Sequence, residues 1–233
     1  REAADELRGK ALRIAAWVLE TAPEALEVSG QVVRLRDDHS RSLALSDIFT
    51  RAIIGQGIPP EETPGLEASA HYAPDEAAFS FGTAAAVVAA DPESGEFSVD
   101  RLVMVHDCGT AVNPLLVEGQ VLGGLVQGLG AALSEDLIYD PDTGQLVSGS
   151  MLDYFMPTAA DVPPIELLHS EIPSPVTSFG ERGVGEVGTI PPAAALANAL
   201  CDALSEFGVE LSRLPLTPES VWRALKNAKG ANP

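Results

Sequence analysis

Glu186 is the side chain whose surroundings in the sequence look most like a reactive site. It stands in the run Gly180-Glu181-Arg182-Gly183-Val184-Gly185-Glu186-Val187-Gly188-Thr189-Ile190-Pro191-Pro192, where glycines on both sides let backbone or a ligand approach its carboxylate closely. The loop leads into an apolar stretch, residues 193–207, that reads as a helix with an N-terminal dipole favouring an anion. Two chemistries are open to such a carboxylate. It can face a closely approaching ligand, or it can simply complement the dipole.

The second chemically suggestive segment runs from Glu118 to Gly130 and reads as a helix containing five glycines, at 119, 123, 124, 128 and 130. Each costs about 1 kcal/mol relative to alanine in a helix interior, so something must approach the backbone closely, either another element or a ligand. Gln120 and Gln127 are seven residues apart and share a face. Their amides can both donate and accept, as recognition of a polar heterocycle requires; from spacing alone, tight helix packing with two solvated glutamines is the favoured reading.

Other patterns carry less. Gly183-x-Gly185-x-x-Gly188 matches a dinucleotide fingerprint, but residues 174–178 make a poor strand and Pro191-Pro192 fall where the following helix should already run. The four histidines (39, 71, 106, 169) lack the spacings of a metal-binding helix, so no protein-ligated metal is expected. His106-Asp107-Cys108 reads as the end of a strand and a turn. Cys108 and Cys201 form no paired motif and are expected to be small buried side chains in a reduced cytoplasm.

The elements that must position these residues can be read from periodicity and punctuation. Helices are expected over residues 2–20, from Ser46 as N-cap to 54, over 113–133 with Asn113 as cap and Pro114 at the first position, over 193–207, and from Thr217 to 226. Strands are expected at 31–35 and 165–169. Residues 79–90 and 97–105 flank the turn 91–96 and form an antiparallel hairpin. Residues 55–76 and 174–192 are Gly- and Pro-rich loops, the first a possible boundary within an otherwise single unit over 1–233. Strands and helices alternate without a βαβ rhythm, so the fold class is α+β: a mixed sheet with an antiparallel hairpin, packed by helices.

Composition excludes some partners. A chain of 233 residues with net charge −20 and three lysines (Lys10, Lys226, Lys229) is a poor match for nucleic acid or an anionic membrane. No apolar stretch looks long and uninterrupted enough to cross a bilayer. Between Arg101 and Arg213 the one Lys or Arg is Arg182, so an anion bound there would rely on backbone N–H groups and side-chain amides.

Taken in order, His106-Asp107-Cys108-Gly109, Asn113-Pro114, Glu118-Gly119-Gln120, Gln127-Gly128 and Gly183-Val184-Gly185-Glu186 resemble the molybdenum hydroxylases, the family of xanthine dehydrogenase, aldehyde oxidase and carbon monoxide dehydrogenase. The resemblance covers at least residue 79 to the end. It implies the C-terminal portion of a molybdopterin-binding subunit, whose metal is held through the pterin (plain or as its cytosine dinucleotide) rather than by protein ligands. It further implies an N-terminal remainder and companion subunits carrying FAD and [2Fe-2S] clusters. By the same resemblance Glu186 is the base that takes a proton from the metal-bound hydroxyl, Gln120 contacts the cofactor, and the substrate is a small aldehyde, N-heterocycle or CO. Arg182 stands where the family often has lysine. The alternative is a non-catalytic nucleotide-binding or assembly module.

Overall fold

Hydrophobic spacing in the first 73 residues builds a small α+β unit. The computed structural model describes residues 1–74 and 76–230, and the chain divides into two units between Ala73 and Pro74. In the first, α1 (Glu2–Val18) precedes a three-stranded antiparallel meander, β1 (Leu26–Ser29), β2 (Val32–Leu35) and β3 (Ser42–Ala44), followed by α2 (Leu45–Ile54). Ala11, Ile14 and Ala15 recur at helical spacing on α1 and are buried with Leu26, Val33, Ile48 and Ala52. β1 and β3 were not legible in the sequence. The expected cap at Ser46 is also corrected. β3 pairs with β2 up to Ala44, and the Leu45 amide donates to the Gln31 carbonyl at 2.9 Å, so α2 starts directly out of the sheet. Ser46 already lies inside the helix, where its carbonyl accepts from Thr50 Oγ1.

The second unit is organised by a mixed sheet. β4 (Phe81–Ala90) and β5 (Phe97–Asp107) form the expected hairpin, with Asp91 closing its turn by accepting from the Glu93 amide and the Ser94 hydroxyl. A bulge opposite Val87 and Val88 leaves Asp100 as the extra residue. β6 (Ile165–Ser170) adds to β5 in parallel, giving the order β4-β5-β6. The α+β class is therefore observed, with one parallel pairing that periodicity could not reveal.

Helices α3 (Pro114–Leu133), α4 (Pro191–Ala203) and α5 (Pro218–Gly230) supply most of the remaining core. Leu102 and Met104 of β5 meet Val121, Leu125 and Leu129 of α3, Leu196 and Leu200 of α4, and Val221 and Leu225 of α5. Burying each leucine fully contributes roughly 1.5–3 kcal/mol, which is what holds a glycine-rich helix in place. Asn113 caps α3 by accepting from the Leu116 amide, and Thr217 Oγ1 accepts from Ser220 ahead of α5.

Three expectations change here. α4 starts at Pro191, not at residue 193: Pro191 and Pro192 occupy its first turn, where an amide hydrogen is not required. α3, with 20 residues and a mean hydropathy of 1.3, is long and apolar enough to cross a membrane by length and composition alone, although its buried face forms core here. Cys108 is buried as expected, but Cys201 is only half-buried and its Sγ accepts from the Leu211 amide.

Candidate functional site

Glu186 lies on a loop clamped from two sides. On one side, the loop is strapped to the end of β5. The Arg182 amide donates to the Cys108 carbonyl at 2.7 Å, and the Gly180 carbonyl accepts from both Thr110 and Ser174. Gly109 makes this approach possible, because it adopts φ +65° and a Cβ there would sit 2.1 Å from the Gly180 carbonyl oxygen. Asp107, fully buried, fixes the same junction by accepting from the Gly109 and Ile172 amides at 2.8 Å.

On the other side, the loop lies against α3. A Cβ on Gly188 would fall 2.3 Å from the Val121 carbonyl oxygen, and one on Gly124 would fall 3.1 Å from the Gly188 Cα. The helix and the loop therefore touch main chain to main chain. Gln120 Nε2 donates to the Gly185 carbonyl at 2.8 Å, one residue before Glu186, while Thr189 Oγ1 reaches Gln127 Oε1 at 3.5 Å. The glycines of α3 thus serve two surroundings. Gly124 and Gly128 admit the loop and Pro192, whereas Cβ atoms on Gly119 and Gly123 would meet nothing within 4 Å.

Glu186 itself is exposed, and so are Gly183 and Gly185. Beside them Gln120, Cys108, Thr110, Asn113, Val184 and Gly185 line a cavity of about 410 Å³, within the size range of small-molecule sites. Arg182, the one Lys or Arg between Arg101 and Arg213, is already engaged. Its guanidinium donates to the Phe79 and Ile172 carbonyls, lies 3.7 Å from Asp107 and stacks over the Phe81 ring at 5.6 Å. The structure thus brings Gln120 and the Glu186 loop together, with Arg182 acting as a tie between β4, β5 and the loop.

Sequence spacing missed a second convergence. The parallel register sets His106 of β5 directly beside His169 of β6, their ring centroids 4.8 Å apart, with Cys108 close by. Burial, reinforced by neighbouring His169, holds the His106 imidazole below its usual pKa; burial, reinforced by Asp107, raises the Cys108 thiol. Both are neutral donors at pH 7. The signal was present only as a register, which the separate positions of two histidines and a cysteine do not disclose.

The chain belongs to the molybdopterin cofactor-binding domain family, whose model matches residues 1–163. It is 39% identical over 225 residues to the nicotine 6-hydroxylase large subunit of Paenarthrobacter nicotinovorans and 36% identical over 227 residues to the carbon monoxide dehydrogenase large chain of Hydrogenophaga pseudoflava, covering 96% of this chain in each case. Quinoline 2-oxidoreductase from Pseudomonas putida 86 superposes with a TM-score of 0.84 at 35% identity over 96% of this chain. The chain spans 28% of the length of each of these three proteins, so it corresponds to a fragment of a molybdenum-binding subunit.

Proposed function

We propose that the protein is a portion of a cytoplasmic molybdenum hydroxylase that oxidises an N-heterocycle or an aldehyde, with Glu186 as general base and Gln120 as a contact to the cofactor. The observation that carries this reading is the seat of Glu186: an exposed carboxylate on a loop fixed at main-chain level by α3 and β5, next to a cavity lined by Gln120. Of the two substrate classes, the N-heterocycle gains support from the names of the nicotine- and quinoline-oxidising relatives.

The surface suits a molybdopterin. Gly183, Gly185, Gly119 and Gly123 leave room that any side chain would partly fill, and Gln120 offers an amide beside them. Since Arg182 is spent on Asp107 and two carbonyls, the anionic parts of the group would draw on main-chain N–H and neutral amides here. When bound, the molybdenum cofactor would supply the two-electron oxidation, the inserted oxygen coming from water. Glu186 would hold the proton taken up in that reaction, and the Gln120–Gly185 hydrogen bond keeps the loop from swinging away. The rest of the cofactor contacts and the substrate pocket belong to the N-terminal remainder of the subunit, and electrons leave through subunits carrying [2Fe-2S] clusters and FAD.

Glu186→Gln in the full-length enzyme tests the assignment, since the amide keeps size and reach but cannot accept the proton. General-base catalysis contributes about 10²–10⁴-fold, so turnover should fall by roughly two orders of magnitude or more with molybdenum content unchanged. A carboxylate that merely complements the dipole of α4 would instead cost about 0.3–1 kcal/mol of stability and leave turnover intact. Parent-like turnover with a lowered thermal midpoint would remove Glu186 from the mechanism.

A further inference from the structure

We propose that His106, Cys108 and His169 form a binding site for one divalent ion of the zinc class, at the edge of the cavity that Cys108 shares with Gln120 and with neither Gln120 nor Glu186 among its ligands. The strand pattern leads to it. Leu102, Met104 and His106 alternate along the buried face of β5, and Cys108 follows at the same two-residue step. The parallel register pairs Leu102 with Ile165, Met104 with Leu167 and His106 with His169. Where the apolar ladder ends, two imidazoles and a thiol take its place.

The nearest nitrogen and sulfur donor atoms of the three residues all lie within 4.8 Å of one another. A tetrahedral ion with bonds of about 2.0–2.3 Å separates its donors by roughly 3.3–3.8 Å. The exposed His169 ring can close the difference by turning about its side-chain torsions, while Cys108 is held in place by the Arg182 amide on its carbonyl.

An independent observation points the same way. His106 is 2% exposed, and its Nδ1 has no hydrogen-bond partner among the described residues. A buried polar atom left unmatched costs about 1–3 kcal/mol and calls for an occupant. Neighbouring Asp107 does not supply it, because its two oxygens serve the Gly109 and Ile172 amides. Two imidazole nitrogens and one thiolate select a borderline-soft ion over magnesium or calcium, which prefer oxygen. Three protein ligands leave a fourth position, which the exposed His169 side opens to water. Binding converts the Cys108 thiol to thiolate and releases its proton to solvent.

Cobalt(II) reports on this site because a thiolate ligand gives it an intense charge-transfer absorption that nitrogen and oxygen ligands do not. The purified full-length protein carrying this chain, treated with a chelator, is titrated with cobalt(II) and followed by difference absorption. One equivalent should produce the thiolate band, and zinc(II) should displace it. Cys108→Ser should abolish the band. His169→Ala, a change at an exposed position that leaves the core intact, should weaken cobalt binding at least tenfold, and His71→Ala should leave it unchanged. Absence of a thiolate band, or a band indifferent to His169→Ala, overturns the site. Neither result bears on Glu186, whose test is turnover.

Discussion

Gly188→Ala perturbs the seat of Glu186 without touching any polar side chain. The new Cβ would lie 2.3 Å from the Val121 carbonyl oxygen and 2.9 Å from the Leu125 amide nitrogen, about 1.1 and about 0.5 Å short of the 3.4 Å at which ordinary contact begins. Both obstacles are backbone atoms of α3, whose Val121 and Leu125 side chains are fully buried, so the helix cannot yield cheaply. The loop must move instead. Overpacking of this kind costs about 1–3 kcal/mol, and an ångström of misplacement at a reacting group can cost on the order of 10²-fold in rate. Gly183→Ala is the matched control: it lies on the same loop, has no positive φ, and its Cβ meets nothing within 4 Å. Denaturant unfolding and steady-state turnover of the full-length protein should show Gly188→Ala impaired in both and Gly183→Ala near the parent in stability. Parent-like stability and turnover in Gly188→Ala would refute the claim that α3 sets the position of Glu186.

Three further outcomes can be checked directly. Gln120→Ala removes the 2.8 Å bond to the Gly185 carbonyl, so cofactor content or turnover should drop while unfolding free energy changes by no more than roughly 0.5–1.5 kcal/mol; unchanged molybdenum and turnover would leave the glutamine a packing residue. Asn113→Ala deletes the cap of α3 and should destabilise by about 1 kcal/mol in a denaturant titration, with the glycine replacement milder by most of that amount. The 233-residue chain alone should retain no stoichiometric pterin on purification, because its one cation between Arg101 and Arg213 is tied to Asp107 and two carbonyls; pterin fluorescence at one equivalent after denaturation would contradict this.

What the sequence disclosed depended on the range of the physics involved. The hairpin of β4 and β5, the Asn113 cap and the extent of α3 rest on period-two and helical spacing and on local side-chain chemistry, and each appears where spacing put it. β1 and β3 are strands of four and three residues, too short for alternation to register. Pro191 and Pro192 were misjudged as helix breakers, although a first turn has no use for their missing hydrogens. The alignment of His106 with His169 required knowing that β6 runs parallel to β5. At the site, the glycines of α3 announced a close approach, and the structure names its object: the Glu186 loop at Gly124 and Gly128, open space at Gly119 and Gly123.

The contact between Gly124 and Gly188 joins backbone to backbone, with no side chain in between. Such a joint is blind to most mutation. Side chains elsewhere on α3 and on the loop can drift, changing what lines the neighbouring cavity, while the distance from the helix axis to the residue two places before Gly188 stays fixed by peptide geometry. On the proposed function, a lineage could therefore explore new substrates around a loop whose main chain keeps its place. Its evolutionary freedom and its constraint would be written in different atoms of the same two segments.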